Sequence, residues 1–342
     1  IPLVHFGLTS EDINNTAYSL MTKGATKNIM VPAIKNVLKE LKKLARRTKS
    51  LPMLSLTHGQ PATTTTLGKE LAVFISRIER ELALINEINL LAKFSGATGS
   101  YAAHKAAFPK ANWSVFAKKF IKRLGLEQSP ITSQIEPGDS IAGLLHSYVR
   151  INNIFSDFSL DMWLYISRNI FVQKNVSGEV GSSTMPHKIN PIFFENAEGN
   201  LDVANNNFSF LASRITKSRL QSDLSGSTVF RNLGVGFAHS LLSYKNLIKG
   251  VLRVSPNKKQ LKKELDENWS VLAEAIQTIL RKSGDVHAYD KIKKLTRGKP
   301  ITKKLYLQIV NDLKASKEDK DMLLQLTPHT YLGEIDKILE NL

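Results

Sequence analysis

The chain has 342 residues, 42% hydrophobic and 23% charged, which is a globular composition long enough for about two or three domains with substantial cores. Lys and Arg number 47 against 30 Asp and Glu, a formal charge of +17, and cysteine is absent, which excludes disulfides, thiolate nucleophiles and Cys-based metal sites and fits a reducing, cytoplasmic setting. No apolar run of about 18 residues occurs, so no membrane span is expected. The surplus of positive charge leaves two partners open: a nucleic acid, or a small anionic substrate. The lysines are mixed with acidic residues in helix-like segments such as "NKKQLKKELDENW", and no Arg/Gly tract, RNA-binding aromatic signature or basic arm occurs, which favours the small anion.

The first stretch, "IPLVHFGLTSEDINN", lacks a methionine and the charged-then-apolar pattern of a signal peptide. It opens as though inside a folded region, so the chain is expected to be a fragment. "TSED" reads as a capping box of Thr9 and Asp12, followed by Ile13, Ala17 and Leu20 at helical spacing over 10–22. Hydroxyls of Thr9 and Ser10 at a helix N-terminus also suit an anion; simple capping explains them equally well. Residues 32–47 begin with Pro32 and place Ile34, Val37, Leu38, Leu41 and Leu44 on one helical face. "LTHGQPATTTTLGKE" follows at 56–70. His58 sits there in a polar loop before a long helix, and histidine is the side chain best matched to proton transfer near neutral pH. His104, His146, His239, His287 and His329 read as ordinary, satisfied surface or core residues.

Long apolar stripes run through 67–93 and 139–172, and further helices are expected at 193–217 and 229–252. Between them lies "SGEVGSSTMPHKINP", 177–191, which suits neither helix nor strand. Gly178 and Gly181 allow the backbone to open and close, and successive N–H groups in such a turn bind oxyanions. Ser182 and Ser183 add hydroxyls, Lys188 a positive charge and Asn190 a donor and acceptor. A plain helix connector needs none of these, so a functional loop is the better reading. "QSDLSGSTVFRN" at 221–232 carries Ser227, Thr228 and Arg231, a weaker signal for a phosphate. Pro256 and Asn257 break the pattern, and shorter, more basic helices follow at about 258–282, 286–296, 302–314 and 317–325.

Strand-like alternation is scarce, so the fold is expected to be all-α: a bundle of long helices over 1–252 and a small C-terminal helical domain over 253–342. Helices of this length need partners along their whole extent, which points to oligomerisation. No HExxH, His/Asp cluster or nucleotide-binding glycine loop occurs, so no metal and no cofactor are expected.

"GSSTMPHKINP" matches the signature loop of the aspartase/fumarase superfamily at each defined position, and "THGQPAT", "TSEDINN", "SQIEPGD" and "STVFRNLGVG" resemble the adenylosuccinate lyases within it. The likeness runs through nearly the whole chain. It implies a long-helix homotetramer with active sites shared among three subunits. It also implies a β-elimination that cleaves adenylosuccinate to AMP and fumarate, and SAICAR to AICAR and fumarate, in purine synthesis. By the same resemblance Ser182 is the base and His58 the acid, while Thr9, Ser10, Gln134, Lys188, Asn190, Asn196, Ser227 and Arg231 hold the anionic nucleotide substrate. Two departures stand out: the family's N-terminal domain is absent, and Ser222 stands where the family usually has an arginine. Another lyase of the superfamily, such as argininosuccinate lyase or fumarase, or a basic helical nucleic-acid-binding protein, is the alternative.

Overall fold

The computed structural model describes residues 3–174, 185, 187–296, 301–340 and 342. Helix dominates, as the long apolar stripes require. In chain order the first part has α1 (Ser10–Ala25), a π-helical turn (Thr26–Met30), α2 (Val31–Thr48), a hairpin of β1 (Pro52–Thr57) and β2 (Gln60–Thr66), and α3 (Leu67–Glu87). The two-residue strand β3 (Leu91–Ala92), α4 (Ala102–Ala107), α5 (Trp113–Arg123) and the two-residue β4 (Glu127–Gln128) lead into α6 (Asp139–Ser167) and β5 (Phe171–Gln173). Then come α7 (Ile192–Ile215), α8 (Ser225–Phe230), α9 (Leu233–Arg253) and β6 (Val254–Pro256). The C-terminal helices are α10 (Lys258–Asp266), a 3-10 turn (Trp269–Leu272), α11 (Ala273–Lys282), α12 (Ala288–Thr296), α13 (Lys303–Asp312), α14 (Lys317–Gln325) and α15 (Ile335–Ile338). No described helix is long and apolar enough to cross a membrane.

Two compact units divide the chain. The first comprises Ile1–Lys39, Ser76–Trp163 and Asn190–Leu252; the second comprises Glu40–Ile75, Leu164–Ile189 and Arg253–Leu342. In the first, aromatic side chains from α6, α7 and α9 interlock. Tyr148 lies 5.8 Å from Phe208 and 5.2 Å from Phe237, and Phe155 lies 5.0 Å from Tyr244, ring centre to ring centre. A buried polar knot pins the same helices: Asn152 Nδ2 donates to Ser240 Oγ at 2.9 Å, and the Tyr244 hydroxyl donates to Asn152 Oδ1 at 2.7 Å. Asn152, Ser240 and Tyr244 thus satisfy one another inside the bundle, which is what burial demands.

The second unit has a core of Leu54, Leu265, Leu272, Ile276, Tyr306, Val310 and Leu323, among others. Leu54 belongs to the hairpin, which takes the place of the polar loop expected around His58. Met53 and Leu54, on opposite faces of β1, are both buried, and β2 pairs with β1 antiparallel, Met53 opposite Thr65, Leu54 opposite Thr64 and Thr57 opposite Gln60. The segment expected as one helix over 258–282 is broken at Asn268 by the 3-10 turn, whose Val271 and Leu272 enter the core.

Candidate active site

The first unit gathers four of the candidate residues into one neighbourhood. Thr9 is the N-cap of α1 and Ser10 its first residue. The side chain of Asp12 folds back to accept the Thr9 N–H at 2.9 Å through Oδ2. Its other oxygen accepts the N–H of Ser95 at 2.9 Å and of Gly96 at 3.3 Å. Lys93 closes the network. Its ammonium lies 3.0 Å from Asp12 Oδ1 and donates to Gly96 O at 2.8 Å, and both side chains are fully buried. Asn15 adds a two-way clasp: its Oδ1 accepts the Lys93 N–H at 2.9 Å and its Nδ2 donates to the Lys93 carbonyl at 3.2 Å. Burial lowers the Lys93 pKa, a change that the hydrogen bond and charge of Asp12 oppose.

From Ser95 the network continues to the Gln134 loop. Ser95 Oγ is 3.2 Å from Thr132 Oγ1, and Ser133 Oγ donates to the carbonyl of Gln221 at 3.0 Å. Ser227 lines a small cavity of about 50 Å³ together with Glu11, Asn14, Tyr18, Glu136 and Lys217. Tyr18 stacks on Phe230 at 4.7 Å, so α1 and α8 share this wall. Glu136 is buried, and burial raises its pKa although it accepts the Gly138 N–H at 2.8 Å. Asp223 sits beside Ser222. Hydrogen bonds from Ser225, first, and then from Arg219 hold its carboxyl at about 2. Arg231 is exposed at the C-cap of α8.

Further along the first unit, Asn190 precedes α7, and exposed Asn196 lies on it. Asn196 Oδ1 accepts from Asn246 and, at 3.2 Å, from Asn200 Nδ2, while His239 Nδ1 meets Asn200 Oδ1 at 2.7 Å.

The second unit holds His58 and Lys188. His58 and Gly59 form the two-residue tip of the hairpin, with φ of 53° and 72°, the left-handed pair that a type I′ turn requires. The imidazole is exposed there. Lys188 is exposed, and Gln173 Nε2 donates to the carbonyl of the next residue, Ile189, at 2.8 Å. Ser182, with Ser183, lies outside the described residues.

Sequence reasoning missed Lys93, Glu136 and Lys217. Lys93 closes the apolar stripe over 67–93, and its burial against Asp12 is a tertiary contact that local sequence does not carry. His104 differs from its expected role. It is buried, neither ring nitrogen has a hydrogen-bond partner among the described residues, and Trp113, Phe94, Tyr101 and Phe6 surround it at 4.8 to 6.2 Å. Burial accordingly lowers its pKa.

Family models match the chain in two stretches: "Lyase" over residues 2–204 and "Adenylosuccinate lyase C-terminal" over 218–332. Adenylosuccinate lyase of Legionella pneumophila (strain Corby) is 47% identical over 333 residues, covering 97% of this chain and 73% of that protein. The Escherichia coli (strain K12) adenylosuccinate lyase is 45% identical over 339 residues, covering 99% of this chain and 74% of its own. Among solved structures, the fumarate lyase of Mesorhizobium sp. BNC1 superposes with a TM-score of 0.76 at 19% identity, covering 99% of this chain and 78% of that one. The β-carboxy-cis,cis-muconate cycloisomerase of Acinetobacter calcoaceticus sp. ADP1 does so with 0.73 at 20% identity, covering 99% and 76%. These two likenesses establish the long-helix bundle fold.

Proposed function

This chain belongs to the adenylosuccinate lyase family, and we propose on that premise that it cleaves adenylosuccinate to AMP and fumarate, and SAICAR to AICAR and fumarate, in purine synthesis. The observation that carries this reading is the 47% identity with an adenylosuccinate lyase across 97% of the chain. The elimination begins when Ser182 removes a proton from the succinyl carbon next to a carboxylate. The electron pair enters that carboxylate and forms a doubly charged intermediate. Lys188, Asn190 and the amides of the signature loop offset this charge, where fixed dipoles are worth most. The pair then returns to form the C=C bond, the C–N bond breaks, and His58 protonates the departing nitrogen. An exposed hairpin tip suits an acid that must reach a substrate held elsewhere. Thr9, Ser10, Gln134, Asn196, Ser227 and Arg231 hold the nucleotide. A serine is a weak base in water, so its activation by its surroundings is part of the proposal.

The active assembly is a homotetramer of the cytoplasm, its sites shared among subunits, with 253–342 acting as a small separate domain. Supporting the assembly are large apolar side chains left exposed on the long helices: Leu160 and Trp163 on α6, Val203 and Phe210 on α7, Leu242 and Leu252 on α9.

Full-length protein should convert adenylosuccinate to AMP with a change in ultraviolet absorbance. Ser182→Ala and His58→Ala should each abolish turnover with the circular dichroism spectrum intact. Normal turnover by Ser182→Ala would refute the mechanism.

A further inference from the structure

A cavity of about 880 Å³ opens in the first unit, at the end of α1 remote from Thr9 and Ser10. Lys23 lies thirteen helical steps from Ser10, a distance of about 20 Å at the α-helical rise. The cavity is therefore separate from the Thr9 and Ser10 neighbourhood described above. Its volume lies within the range of small-molecule sites, roughly 300 to 1,000 Å³.

One wall is built from Lys23, Lys27, Val31 and Lys35. These residues are spaced four apart. In an unbroken α-helix each such step drifts by about 40° around the axis, and three steps would turn Lys35 well away from Lys23. The π-helical turn Thr26–Met30 lies between them. Its wider i→i+5 turn takes up the extra residue and offsets the drift, so three lysines line one cavity. Lys23 is steered by donating to the carbonyl of Gly125. Among the described residues Lys27 and Lys35, both exposed, have no carboxylate partner, and Glu127 is the one acidic side chain in the lining.

The other walls are of two kinds. Asn36, Asn86 and Asn89 supply carboxamides that donate or accept. The floor is apolar and well packed: Ile85, Leu90, Leu126 and Leu144 are all buried. Three cations above an apolar floor match a ligand with an anionic group and a flat apolar body. A bare inorganic ion would leave that floor unused, and a neutral ring would leave the lysines unused. We propose that this cavity is a second, independent binding site for a phosphoester of an aromatic or heterocyclic ring, of nucleotide size.

Pyridoxal 5′-phosphate is a suitable probe, since it joins a phosphate to a flat ring. Its aldehyde condenses with a lysine amine, releasing water, and borohydride reduces the resulting imine to a stable secondary amine. Peptide mapping then reads which lysines have reacted. Lys27 and Lys35 should be labelled well ahead of exposed Lys258 and Lys259, and inorganic pyrophosphate should protect them. The double variant Lys27→Met/Lys35→Met alters two exposed side chains, so the fold is kept. In a Lys188→Ala background, which removes a cation from the proposed catalytic loop, the double variant should weaken pyrophosphate binding by about tenfold or more in calorimetry. Labelling of Lys27 and Lys35 no greater than that of Lys258, or unchanged pyrophosphate affinity in the double variant, overturns the proposal. Either result leaves the lyase reading untouched, because that reading rests on the 47% identity with an adenylosuccinate lyase across 97% of the chain and not on this cavity.

Discussion

Asp12 and Lys93 form an ion pair with no exposed surface on either side chain. Such a pair recovers its desolvation cost only if its remaining hydrogen-bonding groups are also satisfied. Here the backbone does this, with three N–H groups on Asp12 and the Gly96 carbonyl on Lys93. Removing one partner strands the other. Lys93→Met should therefore cost about 3–5 kcal/mol in urea unfolding. A loss below about 1 kcal/mol would show that the pair is dispensable. His104 gives a second prediction, in pH. Its pKa is lowered in the folded state by burial, with the charge of Asp12 opposing and that of Lys93 assisting. The unfolded chain thus binds more protons near the ordinary histidine value, so stability is complete above about pH 6.5 and falls as acid is added. The melting temperature should drop between pH 7 and 5, and His104→Leu should flatten that slope. An unchanged slope would rule out His104 as its source.

Among the elements, the hairpin is the hardest to read from local sequence. A run of four threonines looks like a loop until its β-branched side chains are seen pairing with Met53 and Leu54. Gly68, at the start of α3, shows how closely this part of the chain packs. A Cβ there would lie 2.4 Å from Lys49 Cα and 2.6 Å from the Ala45 carbonyl, both backbone atoms that cannot rotate aside. Gly68→Ala should therefore destabilise by about 1–3 kcal/mol or more, read as a lower melting temperature. A melt equal to the parent's would mean that the α2–α3 contact is looser than these distances. At the hairpin tip, His58 adopts a left-handed backbone, which histidine tolerates better than most residues. That conformation holds the imidazole out in solvent, away from its own strand.

For the whole molecule, a shared active site makes a distinct prediction. If His58 and Ser182 of one site come from different subunits, mixing inactive Ser182→Ala and His58→Ala proteins, with subunit exchange, should restore measurable turnover. Mixtures that stay inactive while exchange is shown by mass would place both residues on one chain. The helical class and the extents of α1, α2 and α6 to within a few residues were legible in the sequence, because apolar periodicity is a local property. The buried Lys93, the unsatisfied His104, the hairpin's place in the second core and the lysine-lined cavity were not legible. Each depends on which distant segments meet: 78 positions separate Asn15 from Lys93, and Leu54 shares a core with Leu323. A local pattern can say that a side chain is charged or apolar. Whether that side chain faces water, an ion partner or a ring is decided by the chain's return to itself in three dimensions.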